Sequence, residues 1–100
     1  MSLKEILETE FSEDFVEKKK NRMLTSYYKY GKVKENYENG KFDALACAKE
    51  RMELYNETGN TEYLIDASNF LMIEYMYPQH ENAHFEGTDS DQSPRLVRGD

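Results

Sequence analysis

The strongest constraint on the fold is a stretch, residues 63–77, that is apolar on almost every side. It lies between the turn Thr58-Gly59-Asn60 and Pro78. A helix with apolar residues around its whole circumference is typical of a central helix that is buried on several sides. Asn60 is a suitable N-cap and proline stops a helix, so we predict a helix from just after Asn60 to about Tyr77.

The segment before this turn predicts a second helix, over residues 41–56. Leu45, Ala48 and Met52 recur in it at helical spacing, with charged residues on the opposite side. A turn as tight as Thr58-Gly59-Asn60 leaves two consecutive helices antiparallel. The centre of the molecule is therefore predicted to be a helix hairpin.

The N-terminal half also reads as helix. Ser2 precedes a short helical segment, and Ser12 precedes a longer one that we predict from about Glu13 to Tyr30, where Gly31 ends it. Residues 32–38 are predicted to be a short helix or a continuation, and no segment has a strand pattern. The fold class is all-α, a small helical bundle.

The C-terminal part has a different composition. Residues 78–100 lack periodicity and are rich in Glu, Asp, Ser, His and Gly, which is typical of a loop or tail. We predict a helical domain over residues 1–77 and an irregular or partly disordered tail over residues 78–100. Phe85 is expected to anchor this tail onto the helices.

The length and the cysteine content of the chain indicate how many domains it forms and in which cellular compartment it works. A chain of 100 residues with one cysteine, Cys47, forms one domain and no internal disulfide. It has no apolar run long enough to cross a bilayer, and its first residues lack the apolar region of a secretory signal. We expect a cytoplasmic protein that does not enter a membrane.

Charge is unevenly distributed along the chain. The formal net charge of −7 argues against a general nucleic-acid binder, yet seven of the thirteen basic residues fall within residues 18–34, where no acid occurs. Tyrosines lie among these cations, and cations attract phosphates while aromatic faces stack on bases. The candidate nucleotide- or phosphate-binding residues are Lys29, Tyr30, Lys32 and Lys34, with Asn69 from the central helix. A solvated helix face whose tyrosines are core explains the same pattern.

Carboxylates on the predicted hairpin form a second candidate site. Glu50 and Glu53 lie one turn apart on the first helix, and Glu62 and Asp66 lie one turn apart on the second. Oxygen ligands of this kind suit Mg²⁺, which also binds substrate phosphates. We predict a magnesium site from these four residues. The alternative is that the glutamates pair with neighbouring Lys49 or Arg51 while Asp66 and Asn69 make buried hydrogen bonds.

Residues 51–74, together with His80, Ala83-His84-Phe85 and the run from Thr88 to Pro94, resemble small uncharacterised proteins encoded by phages. The hairpin also resembles, more distantly, the all-helical nucleoside triphosphate pyrophosphohydrolases of the MazG type. Those enzymes carry Glu-Glu-x-x-Glu and Glu-x-x-Asp around Mg²⁺. Glu50, Glu53 and Asp66 match these patterns. The resemblance implies a nucleotide ligand and assembly as a homo-oligomer.

Two functions follow from these patterns. The sequence departs from the enzyme pattern at Lys49 and Tyr63, so the chain is predicted to be a nucleotide-binding, MazG-like protein that is either catalytic or degenerate. The alternative is a phage accessory protein that inhibits a host defence system, such as an anti-CRISPR, by binding a host protein. Its acidic charge suits mimicry of DNA, and this function needs no catalytic residues.

Overall fold

The computed structural model describes residues 1–88 and confirms the all-α prediction. It contains five helices and, within those residues, no strand: α1 Leu3–Glu10, α2 Glu13–Tyr30, α3 Val33–Glu38, α4 Ala44–Thr58 and α5 Glu62–Met76. No helix in this part of the chain is both long and apolar enough to cross a membrane. The predicted tail is irregular over residues 78–88, and its remainder lies outside the described residues.

Side-chain caps set where the helices begin. Ser2 and Glu5 form a reciprocal capping box at α1, and the Ser12 hydroxyl accepts a hydrogen bond from the Phe15 amide at α2. At α4 the carboxylate of Asp43 accepts from the Ala46 amide at 3.0 Å. The prediction that this helix starts at Lys41 was therefore wrong, because the capping aspartate places its first residue at Ala44.

The hairpin of α4 and α5 is the main packing unit, as predicted. Gly59 has φ +74°, a left-handed conformation that ends α4 and that glycine adopts without strain. The Asn60 side chain then accepts a hydrogen bond from the Glu62 amide at 3.0 Å. The turn thus ends one helix and starts the next within three residues.

The core is small and lies where α3, α4 and α5 meet. Tyr37, Ala44 and Ile73 are buried together. The partly buried hydrophobic residues that pack on them are Met23, Val33, Phe42, Phe70 and Tyr77. The Phe42 ring lies with its centroid 5.0 Å from that of Tyr37 and 6.0 Å from that of Phe70, a spacing at which aromatic pairs attract each other.

Two predicted burial patterns are wrong. The central helix α5 buries Ile65, Ala67, Asn69 and Ile73, but it is open to solvent along another face. Phe85 is 85% exposed and does not anchor the tail. The helix α1 buries no residue, and its apolar side chains Leu3, Ile6 and Leu7 are exposed.

A polar contact joins α3 to the end of α5. The buried Tyr37 hydroxyl donates a hydrogen bond to Glu74, whose other oxygen accepts from the Gln79 amide at 3.0 Å. Gln79 in turn donates to the Tyr37 carbonyl at 2.8 Å. Burial and then the Glu74 carboxylate raise the pKa of Tyr37 to about 12, and the same hydrogen bond lowers the pKa of Glu74.

This contact predicts a loss of stability at high pH. The folded pKa of Tyr37 lies above its ordinary value of 10.0, so its contribution is complete below about pH 10 and is lost as the pH rises toward 12. Tyr37→Phe should cost about 1 kcal/mol at pH 7 and flatten the alkaline decline. Urea unfolding from pH 7 to 12 measures this.

Tyr28→Phe is the matched control, since Tyr28 is 84% exposed. This variant should follow the wild-type curve throughout. A Tyr37→Phe protein that loses stability in parallel with the wild type above pH 10 would contradict the assignment.

Candidate functional site

Arg22 connects α2 to the start of α5. Its Nε and Nη2 donate to the two carboxylate oxygens of Asp66 at 3.0 and 3.2 Å, and its Nη1 lies 2.9 Å from Glu62. Glu62 and Asp66 are one turn apart on α5, so one guanidinium reaches both. The parallel two-bond geometry is the strongest form of an arginine–carboxylate pair.

Asp66 also faces an arginine from α4. The Arg51 Nε lies 3.7 Å from its second oxygen, while the Arg51 guanidinium lies over the Phe70 ring at 5.4 Å. The Asp66 side chain retains only 15% exposure, whereas Arg22 is 47% exposed. Asp66 is therefore the point at which α2, α4 and α5 are held together by charge.

The four predicted magnesium ligands do not fit a metal centre as they lie. Glu62 and Asp66 are turned to Arg22, Glu50 pairs with its neighbour Arg51, and Glu53 is exposed on α4. Within residues 1–88, no group of three or more His, Cys, Asp or Glu side chains is arranged to hold a metal ion. A Mg²⁺ at Asp66 would have to displace two guanidinium groups, so the magnesium site stays a prediction without a ligand set.

A cleft of about 230 Å³ lies beside Arg22, between the second half of α2 and the middle of α5. Three of the predicted nucleotide-binding residues, Lys29, Tyr30 and Asn69, line it. Lys29 and Tyr30 lie on α2 and Asn69 lies on α5, so only the packing of α2 on α5 brings the three together. Arg22, Ser26, Arg51, Asp66 and Phe70 complete most of its wall.

Asn69 is the unusual group in this cleft. It is 6% exposed, and its side-chain amide donates to the Lys19 carbonyl at 3.0 Å. Its oxygen Oδ1 is buried and accepts no hydrogen bond from the described residues. A buried acceptor without a partner costs about 1–3 kcal/mol, and because this oxygen has almost no accessible surface, a donor in the cleft reaches it only if neighbouring side chains move.

Lys32 and Lys34 do not reach the cleft, contrary to the prediction. Gly31 has φ +84° and turns the chain away from α2. Lys32 then precedes α3 and is exposed, while Lys34 pairs with Glu38 at 3.3 Å and lies over the Tyr77 ring. The prediction grouped these basic residues by their nearness in the sequence, and the turn at Gly31 places Lys32 and Lys34 after α2, away from Lys29.

Sequence reasoning missed Arg51 and Phe70 as site residues. The only signal for Arg51 was that a basic residue lies on the first helix of the predicted hairpin, close to a second helix that is otherwise apolar and carries one aspartate.

The wider groove on the other side of Arg22, about 570 Å³, is lined by Asp14, Lys18 and Glu62 among others. Its charges are already paired with one another, since Lys18 contacts Asp14 and Glu62 contacts Arg22.

Comparison with known proteins adds no relative: no protein-family model matches the chain, and no curated protein or solved structure is significantly similar to it. The resemblance to phage proteins and to MazG-type enzymes therefore stays a prediction. The residues of the cleft are the basis for function.

Asp66→Asn is predicted to destabilise the fold without any ligand present. Loss of the charge leaves Arg22 with Glu62 alone and Arg51 with Glu50, so the free energy of unfolding should fall by roughly 1–2 kcal/mol. Glu57→Gln, a similar change at an exposed carboxylate of α4, should change it by less than about 0.5 kcal/mol. Urea unfolding in EDTA measures both, and equal effects would contradict the central role of Asp66.

Proposed function

We propose that this chain binds an anionic ligand of the nucleotide class in the cleft between α2 and α5, and that it does so without metal-dependent hydrolysis. The observation that carries the proposal is a cleft whose wall combines the cations Arg22, Lys29 and Arg51 with the aromatic rings of Tyr30 and Phe70. The buried Asn69 Oδ1 lacks a partner among the described residues, and once neighbouring side chains move, an exocyclic amino group or a ring N–H of a base is the kind of donor that satisfies such an oxygen.

Charge in the cleft supports an anion. Arg22, Lys29 and Arg51 line it against a single carboxylate, that of Asp66. Both arginines already contact that carboxylate, whereas Lys29 forms no ion pair in residues 1–88. Lys29 is then the cation that a phosphate group would contact. The guanidinium groups of Arg22 and Arg51 offer further N–H donors.

Size and shape support a ligand as large as a nucleotide. A neighbouring cavity of about 380 Å³ shares Ser26, Tyr30, Phe70 and Ile73 with the cleft. Together the two fall within the range of roughly 300–1,000 Å³ that is usual for small-molecule sites. Tyr30 and Phe70 supply aromatic surface on which a base stacks. Both cavities are open, so a single copy would leave one side of the ligand in solvent.

The absence of hydrolysis follows from the state of the carboxylates. Metal-dependent pyrophosphohydrolysis needs acidic groups that are free to hold a cation and activate water. Asp66 and Glu62 instead neutralise Arg22. The proposal is therefore a protein that senses or sequesters its ligand, a degenerate relative of the enzymes that the sequence resembles.

Thermal unfolding with a panel of nucleoside mono-, di- and triphosphates tests this function. In EDTA, one class should stabilise the wild-type protein, by about 1.4 kcal/mol when its concentration is ten times the Kd. Lys29→Glu should abolish the shift, because it removes the free cation of the cleft. Lys32→Glu makes the same charge change outside the cleft and should retain the shift.

Two results would contradict the proposal. The first is no shift with any nucleotide, with or without Mg²⁺. The second is a shift that appears only with Mg²⁺, accompanied by release of pyrophosphate, which would instead support the enzyme.

A second candidate is an accessory protein that binds and inhibits a host protein. The observation that favours it is α1, whose apolar residues Leu3, Ile6 and Leu7 are 79%, 39% and 51% exposed. An isolated helix of this length is unstable in water without a partner. If this function is right, Leu7→Asp should abolish inhibition of a host defence nuclease in a cleavage assay, while Lys29→Glu should leave inhibition unchanged.

A further inference from the structure

The exposed face of α5 is apolar and regularly spaced. Leu64, Leu71 and Tyr75 are 37%, 49% and 76% exposed, and the half-buried Ser68 completes their row. The intervals of four, three and four residues place all four on one stripe of the helix. This is the spacing of the seam in antiparallel helix pairs and bundles.

α4 extends this surface. Leu45 and Met52 are 46% and 43% exposed and lie two turns apart. The opposite sides of both helices face the rest of the molecule, where Arg51 of α4 and Asn69 of α5 line the cleft. We call the residues Leu45, Met52, Leu64, Leu71 and Tyr75 the back face of the hairpin. None of them lines the cleft of about 230 Å³, and Leu64 also borders the wider groove near the start of α2.

The border of the back face carries one charge of each sign. Lys49 and Glu53 are exposed on α4, one turn apart and next to Leu45 and Met52 around the helix. Neither forms an ion pair within residues 1–88. Residue 51 lies midway between them, and the antiparallel hairpin brings residues 68 and 69 of α5 to about the same level.

We propose that the back face binds a second copy of this chain. A twofold axis that crosses the two helices near residues 51 and 68 places α4 antiparallel to the partner's α4 and α5 antiparallel to the partner's α5. Each Lys49 then faces the partner's Glu53, and Leu64 faces the partner's Leu71. The two hairpins form a four-helix bundle with an apolar centre and complementary charges at its edges.

The second copy fits this face because the surface complements itself. A twofold interface requires that one patch match its own rotated image. The stripe of α5 is nearly symmetric about Ser68. The twofold rotation exchanges positions 49 and 53, so each Lys49 comes to lie opposite the partner's Glu53, which has the opposite charge. The inference is independent of the proposed ligand, because no residue of the back face lines the cleft.

Mass measurement by sedimentation velocity over a range of protein concentrations tests the interface. The wild-type chain should be a dimer at roughly 100 µM, and Leu71→Asp should make it monomeric. Leu24→Asp is the control, because Leu24 is an exposed leucine of α2, 57% exposed and outside the back face. It should remain dimeric, and circular dichroism should find both variants folded.

A charge-exchange experiment locates the contact between copies. Lys49→Glu and Glu53→Lys each place like charges opposite each other twice per dimer, so each variant should dimerise about tenfold more weakly. An equimolar mixture of the two should recover association. In the mixed dimer one copy has glutamate at both positions 49 and 53 and the other has lysine at both, so opposite charges face each other again. Coupling within one helix cannot produce this recovery.

Three results would overturn the proposal. One is a monomeric wild-type chain over the whole concentration range. Another is a dimer that Leu71→Asp leaves intact. The last is a mixture of the two charge variants that associates no better than either alone, which would place the dimer contact elsewhere.

Discussion

The position of α2 depends on the contact between Arg22 and Asp66. α2 has no fully buried residue, and Met23 is its one residue in the partly buried set that packs on the core. The two hydrogen bonds between Arg22 and Asp66, with Glu62 and Arg51 next to them, fix the orientation of α2 on α5 where apolar packing is sparse. The cleft exists because this contact holds α2 at a fixed distance from the middle of α5.

The same contact bears on the predicted magnesium site, because it already pairs two of the four predicted ligands, Glu62 and Asp66, with Arg22. An acid that is flanked by two guanidinium groups is already neutralised, and moving it to a metal ion would leave Arg22 with Glu62 alone and Arg51 with Glu50 alone. A catalytic carboxylate and a structural one thus compete for the same position. Here the arginines of α2 and α4 both contact Asp66, whereas Lys29 forms no ion pair, and Asn69 Oδ1 accepts no hydrogen bond, within residues 1–88.

A small core has consequences at the surface. Among residues 1–88, six hydrophobic side chains are buried. Apolar side chains that a larger core would bury remain exposed to solvent along α1 and along the back face of the hairpin. Regions of this kind are typical of surfaces that bind other proteins.

The sequence by itself determined the helices, because local signals define them. The caps Ser2, Ser12 and Asn60 and the terminating glycines Gly31 and Gly59 act within a few residues of where they stand. Tertiary structure decided which side chains meet. Helical spacing identified that Glu62 and Asp66 share a face, but only the position of α2 showed that Arg22 contacts both, and only the packing of the helices showed that Lys32 and Lys34 do not line the cleft. An apolar residue of α5 reads the same in sequence whether it meets the core or solvent. Its environment depends on contacts between residues far apart in the chain, which no local pattern records.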